Sequence, residues 1–267
     1  MAGMDMDAVT EILNEAVRTE VLPRFQSLTA DEVSEKNPGD LVTVADKRSE
    51  ELITRLLRDI EDVPVVGEEA TAADPGLVAA LNEAPAAWLV DPVDGTSNFV
   101  AGSKRFAVMA AFVRGGETVA SWIVQPLLGH TYVAEKGSGA FRDGKRLLRE
   151  PASPDPARLR GDALTRFLSP DVKAHVEAAI PRFAEVGQAT KCAGVDYPRL
   201  ATGERDFILF HRILPWDHAP GSLLLTEAGG YVRRPDGTEY RPGDGGFGLL
   251  SAADETTWKT ARELLLP

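Results

Sequence analysis

The chain has 267 residues, and 43% of them are hydrophobic, so it can bury a substantial core in one large domain or in two closely packed ones. Asp and Glu number 41 against 29 Lys and Arg, a net charge of −12, which argues against binding to nucleic acids or to anionic membranes. With one cysteine and no basic or long apolar N-terminal segment, the sequence excludes an intrachain disulfide, carries no readable signal peptide and predicts a cytoplasmic protein.

The first half of the chain predicts helices packed on an antiparallel sheet. Apolar residues at helical spacing indicate amphipathic helices over about 6–26 and 46–60, with a turn at 37–40 between them. Short apolar runs at 63–66 and 88–90 predict two strands. Further strand-like runs, joined by glycine-containing turns, continue the sheet at 106–113, 118–124, 132–135 and 139–142.

The proline-rich stretch 150–156 predicts a domain boundary. It divides the chain into an N-terminal α+β domain, residues 1–150, and a C-terminal α/β domain, residues 151–267. Beyond the boundary, helices and strands alternate, which favours an α/β layer. The predicted helices are 171–180, 195–203, 218–228 and 254–265, and the predicted strands are 184–189, 207–210, 231–232 and 247–250.

Carboxylates follow three predicted apolar segments at the point where each segment ends. Glu68 follows the first, Asp91 and Asp94 follow the second, and Asp217 follows the apolar stretch 213–216. Ligand sites on α/β layers commonly lie at strand ends, and an ionised carboxylate is costly to bury without a partner. Oxygen ligands of this kind suit Mg²⁺ better than Zn²⁺. The pattern therefore predicts a magnesium site around these carboxylates.

The loop 91–99 combines features of a metal site and of a phosphate site. Pro92 fixes one backbone angle, which holds the flanking carboxylates at a set distance and directs the Val93 carbonyl to the same side. The segment 94–97 is typical of a helix start, and a helix start offers free backbone N–H groups to a phosphate. One short segment thus predicts both metal ligands and a phosphate cradle.

Each of these motifs also has an ordinary structural interpretation. The Asp-Pro-x-Asp-Gly segment alone is a common turn, residues 67–69 alone form a solvated loop, and Asp217 alone caps a helix. Their coincidence at three segment ends favours the metal site. His218 is predicted to be a surface or capping residue, and Cys192 a small buried apolar residue.

These segments resemble the signatures of the inositol monophosphatase family, the lithium-sensitive, metal-dependent sugar-phosphate phosphatases. Residues 67–69 and 88–99 are similar to the first signature of the family, and residues 216–221 with 226–230 are similar to the second. Residues 40–46 resemble the upstream segment that ends in a catalytic aspartate. The segments come in the family's order, and the similarity covers nearly the whole chain.

The resemblance implies an α+β or α/β fold, namely a layered αβαβα sandwich, in a protein that is usually a homodimer. It also implies that two or three Mg²⁺ ions are bound. Glu68, Asp91 and the Val93 carbonyl would hold the first ion, and Asp91, Asp94 and Asp217 the second. Glu68 would also reach a third, weaker ion.

The same resemblance implies the roles of the remaining site residues. Thr96, paired with Asp46, would position and deprotonate the attacking water, so that Glu68, Thr96 and Asp46 form the catalytic set. The substrate is a small phosphate monoester. The residues expected to contact it are Asp94, Gly95, Thr96, Ser97, Gly194, Asp196 and His211.

The sequence departs from inositol-specific members on the side of the alcohol. Those members carry a glutamate seven residues before the aspartate of the second signature, and this chain has Phe210 there, followed by His211 and Arg212. Asp196 and Tyr197 are bulkier than the small residues usual after the glycine of this segment. Arg212 would favour a second phosphate or would simply be a solvated charge at a strand end.

Several identities therefore stay open from the sequence. The substrate is most simply an inositol 1-phosphate-like compound, with a 3′(2′),5′-bisphosphate nucleotide, fructose 1,6-bisphosphate or histidinol phosphate as alternatives. A non-catalytic binding or regulatory role is the alternative of another class. Lys36 and the turn residues of loop 27–43 predict a lid over the site, which hydrogen exchange would test.

Overall fold

The computed structural model describes residues 4–37, 40–166 and 168–266, and these form two large sheets with helices above, between and below them, and a separate two-stranded sheet. The α-helices are α1 (Met6–Ala16), α2 (Val44–Ile60), α3 (Glu68–Ala73), α4 (Ala80–Glu83), α5 (Thr96–Val100), α6 (Pro170–Ala179), α7 (Ala193–Ala201), α8 (Pro215–Glu227) and α9 (Glu255–Leu265). The strands of the first half are β1 (Val33–Asn37), β2 (Asp40–Thr43), β3 (Val65–Gly67), β4 (Ala86–Asp94), β5 (Ala107–Arg114), β6 (Glu117–Gln125), β7 (His130–Glu135), β8 (Gly139–Arg142) and β9 (Lys145–Leu147). Those of the second half are β10 (Arg160–Ala163), β11 (Glu185–Gly187), β12 (Phe207–Arg212), β13 (Tyr231–Arg233) and β14 (Phe247–Ala252).

The larger sheet has seven strands in the order β3-β4-β5-β6-β7-β8-β9. β3 and β4 are parallel, and every later neighbour is antiparallel. Residues 95–106, which include α5, connect β4 to β5, and short turns that contain glycine connect the consecutive strands from β5 to β9. All nine residues of β4 are buried, since α2 covers one face of the sheet and α8 the other. A strand buried on both faces reads as a continuous apolar run, which is the pattern that predicted it.

The smaller sheet has five strands in the order β11-β10-β12-β14-β13. β10 is parallel to β11 and β12, whereas β14 is antiparallel to β12 and β13. Helices α6 and α9 pack on its outer face, and α7 and α8 lie between the two sheets. The order helix–sheet–helix–sheet–helix confirms the layered αβαβα sandwich.

Helices α7 and α8 join the two halves of the chain into one core. One buried cluster contains Met109 and Ile123 from the larger sheet, Leu224 from α8 and Ile208 from the smaller sheet. A helix between two sheets is apolar on most sides, and most residues of α8 are buried. The division of the chain at residue 150 stays a prediction, and this shared core is what brings Asp217 to the larger sheet.

Several predicted boundaries were wrong for identifiable reasons. The strand predicted at 88–90 extends from Ala86 to Asp94, because its carboxylates at the C-terminal end remain in the sheet. The helix predicted at 218–228 begins at Pro215, since proline fits the first helical position. Helix α3 and strand β10 were not predicted, because each is too short to show a period.

The N-terminal segments match their predictions in part. The helix predicted over 6–26 continues from α1 through a π-helical turn at 17–21 and a 3₁₀ turn at 22–24. The turn predicted at 37–40 has two residues, Pro38 and Gly39, outside the described residues, and β1 and β2 pair antiparallel on either side of it. In the described part of the chain, no helix combines the length and apolarity that crossing a bilayer requires.

Gly221 of α8 tests the packing between the two central helices. A methyl group at this position would lie 2.1 Å from the Tyr197 ring of α7, so Gly221→Ala should lower the free energy of unfolding by about 1–3 kcal/mol. Thr226→Ala, at an exposed position of the same helix, should change it by less than about 0.5 kcal/mol. Urea unfolding followed by circular dichroism measures both, and equal stabilities would contradict the close packing.

Candidate active site

Carboxylates from three structural elements line one cavity of about 140 Å³. Glu68 is the first residue of α3, Asp91 and Asp94 lie at the end of β4, and Asp217 lies in the first turn of α8. The structure thus brings together the four carboxylates that the sequence singled out. The rest of the lining consists of Asp40, Leu41, Val93, Gly95, Thr96, Ser97, Lys191 and Arg212.

An irregularity in β4 places its two carboxylates. Asp91 pairs with Met109 of β5 and Asp94 pairs with Ala107, so β4 has one extra residue in this interval. Pro92 has no N–H to offer the sheet, and the Val93 N–H donates to Asp91 Oδ1 at 3.1 Å. The bulge and this local hydrogen bond turn the end of the strand toward the cavity.

Asp46 and Thr96 form the hydrogen-bonded pair that the resemblance implied. Thr96 Oγ1 lies 3.0 Å from Asp46 Oδ1 and 3.0 Å from the Val93 carbonyl oxygen, and its single proton reaches one acceptor at a time. Asp46 Oδ2 accepts from the Thr43 N–H at 2.8 Å and the Thr43 hydroxyl at 2.6 Å, which closes a capping box at the start of α2. Burial raises the pKa of Asp46 to about 6.

Glu68 is positioned by a buried acid on a neighbouring helix. Glu50 of α2 accepts from the Glu69 N–H and from the Ala70 N–H, each at 2.7 Å, and so caps α3 from outside. Gly67, the residue before the helix, leaves the space for this carboxylate, because a Cβ there would lie 2.4 Å from Glu50 Cδ. The start of α3, and with it Glu68, is therefore fixed against α2.

Asp94 joins β4 to the start of α7. Its Oδ2 accepts from the Gly194 N–H at 2.5 Å and from the Cys192 thiol at 3.1 Å. Gly194 can approach this closely because it has no Cβ. A Cβ at this position would lie only 2.6 Å from the Cβ of Ala107. Cys192 is buried, as predicted, and it also contacts the candidate site through this hydrogen bond.

Crowding of buried acids dominates the electrostatics of the cavity. Burial, followed by repulsion from neighbouring carboxylates, raises the pKa of Asp91 and of Asp217 well above the usual value. Burial also raises the pKa of Asp94 to about 7, despite the hydrogen bonds from Gly194 and Cys192. In the charged state, these groups require a cation to offset their repulsion.

One cation of the chain already lies against Glu68. The Lys36 ammonium on β1 lies 2.6 Å from Glu68 Oε1 and 2.9 Å from Glu69 Oε1. Burial lowers the pKa of Lys36, but the two carboxylates more than offset this and raise it above its usual value. Among the described residues, no three His, Cys, Asp or Glu side chains are already arranged as a formed metal centre.

A larger cleft of about 540 Å³ adjoins the carboxylate cavity and is lined by two of the predicted substrate residues of the second half, Asp196 and His211, whereas Gly194 is not in its lining. His211 lines it and stacks on Phe247, with ring centroids 5.4 Å apart. Asp196 also lines it, but its carboxylate accepts from the Thr190 N–H at 3.0 and 3.1 Å and lies 3.3 Å from Arg199. We interpret Asp196 as ordering the turn at 190–192, and its contact with substrate stays a prediction.

The prediction for His218 was wrong. Its side chain is buried, not on the surface, and burial lowers its pKa to about 4. Its Nδ1 lies 3.1 Å from the Tyr197 hydroxyl, and its Nε2 lies 3.1 Å from the Arg212 carbonyl oxygen. A neutral imidazole that donates from Nε2 and accepts at Nδ1 satisfies both contacts, so His218 ties α8 to the end of β12.

Sequence reasoning also missed the contributions of Glu50 and Lys36. Glu50 lies on the apolar side of α2. An acidic residue on that side was the only sign in the sequence that Glu50 has a buried partner. Lys36 lies in a segment interpreted as a lid, and its contact with Glu68 depends on a hairpin that no pattern showed. Both contacts join residues far apart in the chain.

Known proteins resemble this chain in sequence and in fold over most of its length. The sequence model described as the inositol monophosphatase family matches residues 4–266. A protein of Aquifex aeolicus named fructose-1,6-bisphosphatase/inositol-1-monophosphatase is 31% identical over 77% of this chain and 76% of its own length. A protein of Xylella fastidiosa named Nus factor SuhB is 30% identical over 79% of this chain and 75% of its own length. The structure of an IMPase from Thermotoga maritima superposes with a TM-score of 0.79, covers 97% of each chain and is 25% identical.

Gly67→Ala tests the contact between α2 and α3. The new methyl group must displace the Glu50 carboxylate from the N–H groups that it caps, so the free energy of unfolding should fall by about 2 kcal/mol. Gly76→Ala is a matched control, because Gly76 is exposed and its Cβ would approach only the Asp74 side chain. Chemical denaturation compares the two variants, and equal stabilities would refute the proposed capping.

The raised pKa of Asp94 predicts a pH dependence of stability in EDTA. The folded pKa of about 7 exceeds the ordinary value of 3.8, so between pH 4 and 7 the folded state binds the extra proton and stability falls as pH rises. Asp94→Asn lacks this titration. The wild-type free energy of unfolding minus that of the variant should therefore fall by about 3 kcal/mol across this window. A difference that is flat or rises with pH would contradict the assignment.

Proposed function

Because the chain belongs to the inositol monophosphatase family, a family of phosphomonoesterases, we propose that it is a Mg²⁺-dependent phosphatase that releases phosphate from a small phosphorylated alcohol. The observation that supports this most directly is the convergence of Glu68, Asp91, Asp94 and Asp217 on one cavity beside the Thr96–Asp46 pair. A serine or cysteine nucleophile is not required, since phosphoryl transfer depends mainly on positioning and charge neutralisation.

The donor set fits magnesium, on which the family typically depends. Every candidate ligand is a carboxylate or carbonyl oxygen, and the raised pKa values of Asp91 and Asp217 reflect repulsion that a divalent cation offsets. Glu68, Asp91 and the Val93 carbonyl would hold one ion, Asp91, Asp94 and Asp217 a second, and Glu68 a third. When bound, the ions supply an acidified water and neutralise charge on the phosphate and the leaving oxygen.

The protein's own groups handle the proton of the attacking water. Thr96 Oγ1 accepts a hydrogen bond from that water, or its proton, while its own hydroxyl proton points to Asp46 Oδ1 at 3.0 Å. Asp46 is held by two donors on its other oxygen and has a pKa of about 6, so it is ionised and able to accept a proton at neutral pH. This pair positions the water for attack on phosphorus.

The turn at 95–97 is suited to the phosphate oxygens. Gly95 has φ +84°, a conformation that favours glycine, and it is the residue directly before the short helix α5. Thr96 and Ser97 are the first residues of α5, so their N–H groups have no acceptor one turn earlier in the helix. Packing under the turn is close, since a Cβ at Gly95 would lie 3.0 Å from Cys192 Cβ.

We propose an inositol 1-phosphate-like compound as the most favoured substrate, in line with the family. Phe210 occupies the position of the family's polyol-binding glutamate and is buried against Tyr197, with ring centroids 5.1 Å apart. The pocket therefore differs from that of inositol-specific members, and a bisphosphate nucleotide, fructose 1,6-bisphosphate and histidinol phosphate stay as alternatives. A homodimer in the cytoplasm also stays part of the proposal, and light scattering tests its oligomeric state.

A second candidate, a binding or regulatory role, is supported by the likeness to the relative named Nus factor SuhB. The net charge of −12 argues against direct contact with RNA, so a protein partner is the more consistent form of this candidate. A pull-down partner that is retained by an inactive Asp91→Asn variant would support it. A protein that hydrolyses phosphate esters and retains no partner would exclude it.

Asp91→Asn should abolish Mg²⁺-dependent phosphate release, by about 10³-fold or more, because Asp91 is assigned to both ions. Asp171→Asn, at an exposed position of α6, is the matched control and should retain wild-type turnover. Circular dichroism must show that both variants are folded. Unchanged turnover in folded Asp91→Asn would remove the assignment of the metal site.

The activity itself is tested with four substrates, each assayed with Mg²⁺ and with EDTA. They are myo-inositol 1-phosphate, fructose 1,6-bisphosphate, histidinol phosphate and 3′-phosphoadenosine 5′-phosphate. Phosphate release that requires Mg²⁺ is the expected result, with the highest kcat/KM identifying the preferred leaving group. Release that persists in EDTA would contradict the metal-dependent mechanism.

A further inference from the structure

Two cationic side chains lie on the wall that the carboxylate cavity shares with the larger cleft. Lys191 and Arg212 line both spaces, as do Asp40, Asp94, Ser97 and Asp217. Cations do not assist the binding of Mg²⁺, because they repel it, so the metal site does not explain this pair. In a chain with a net charge of −12, their position between the two spaces indicates an anion that is not the transferred phosphate alone.

Lys191 is held in an unusual backbone conformation with its ammonium exposed. Its φ of +62° lies in the left-handed region, which costs a non-glycine residue about 1 kcal/mol. The turn is fixed on both sides, since Asp196 accepts from the Thr190 N–H and the Thr190 hydroxyl donates to the Cys192 carbonyl at 3.1 Å. No ion pair or hydrogen bond of the ammonium is found among the residues that the structure describes.

Arg212 has a fixed backbone and a guanidinium that is largely available. Its carbonyl accepts from His218 Nε2 at 3.1 Å, and its backbone pairs with Phe247 of β14. The guanidinium is 47% exposed, and its ion partner in the described residues, Asp40, lies 3.8 Å away. That distance is too long for a hydrogen bond, so the N–H donors of the fork can still bind an anion.

Most carboxylates of the cleft are already engaged by other groups. Phe210 is buried against Tyr197, and the Asp196 carboxylate is engaged by the Thr190 N–H and by Arg199. Asp94 and Asp217 belong to the proposed magnesium site. Of the cleft acids not assigned in this way, Asp40 lies 3.8 Å from Arg212, so the charge of Lys191 and Arg212 exceeds that of Asp40 on the alcohol side. A leaving group that carries its own negative charge therefore suits the cleft better than a neutral ring of hydroxyls.

We propose that Lys191 and Arg212 bind a second phosphate, carried by the leaving alcohol, so that the preferred substrate class of this chain is a bisphosphorylated alcohol. This inference rests on the proposed function, and it selects the bisphosphorylated alternatives over the inositol 1-phosphate-like substrate that the family by itself favours. The transferred phosphate lies at the turn 95–97, the second phosphate lies between Lys191 and Arg212, and the carbon skeleton spans the boundary of the two spaces. Arginine binds phosphate oxygens in pairs, and lysine adds a compact charge beside it.

The test uses two pairs of substrates that differ by one phosphate: fructose 1-phosphate with fructose 1,6-bisphosphate, and adenosine 3′-phosphate with 3′-phosphoadenosine 5′-phosphate. The wild-type kcat/KM should favour the bisphosphate in at least one pair by about tenfold or more. Lys191→Met and Arg212→Gln should each reduce that preference by about tenfold, mainly through a higher KM for the bisphosphate. Lys104→Met, an exposed lysine outside the linings of both spaces, is the control and should keep the full preference.

The outcomes separate this inference from the proposed function. The second-phosphate site would be overturned if the monophosphate and the bisphosphate of each pair had equal kcat/KM. It would also be overturned if the variants lowered kcat/KM equally for both compounds. Either result would leave the proposed phosphatase activity standing. If none of these compounds, nor myo-inositol 1-phosphate, releases phosphate, the proposed function fails. Calorimetric titration of each pair then tests the second-phosphate site independently of turnover. Tighter binding of the bisphosphate than of the monophosphate, lost in Lys191→Met, would support the site. Equal binding of the two compounds would overturn it.

Discussion

Repulsion among buried carboxylates is the constraint on which the rest of this structure depends. Asp91 and Asp94 are buried at the end of β4, and Asp217 reaches the same cavity from α8. Acids placed this close are unfavourable in the absence of a cation, as their raised pKa values show. The fold must therefore be stable enough elsewhere to hold them, and the shared core of the two sheets supplies that stability.

Buried acids in and beside the cavity also serve as structural acceptors. Asp46 completes the capping box of α2, Glu50 caps α3, and Asp94 accepts from the Gly194 N–H near the start of α7. Each of these bonds satisfies a backbone donor that a helix start leaves without a partner. Architecture and site are thus linked, because the residues that orient the candidate ligands also fix the helices. Substitutions here will change stability and chemistry together.

The two sides of the site have different chemical character. The phosphate side consists of oxygen ligands and backbone N–H groups, which suit a metal ion and a phosphoryl group. The alcohol side replaces the family's glutamate with the buried Phe210 and presents Lys191 and Arg212. The proposed hydrolytic chemistry can therefore be combined with different leaving groups, since Phe210, which replaces the glutamate, lines only the larger cleft.

The family could be read from its signature segments, and the layered fold followed from that resemblance, whereas local patterns predicted most of the individual elements. Apolar runs separated by turn residues predicted most strands of the larger sheet, and apolar residues at helical spacing predicted α1 and α2. Short elements such as α3 and β10 were missed because a segment of four to six residues shows no reliable period. The longest errors in boundaries fell at Asp94 and Pro215, where the site itself alters the ends of β4 and α8.

The sequence by itself determined which four acids meet in one cavity, because their coincidence after three apolar segments favours a shared site over three separate turns or caps. Only the tertiary structure decided how they are supported. Glu50 caps a helix formed by residues 68–73, Lys36 pairs with Glu68, and His218 is buried rather than exposed. These contacts join segments that are distant along the chain, and their existence depends on packing distances of a few ångströms that no sequence pattern encodes.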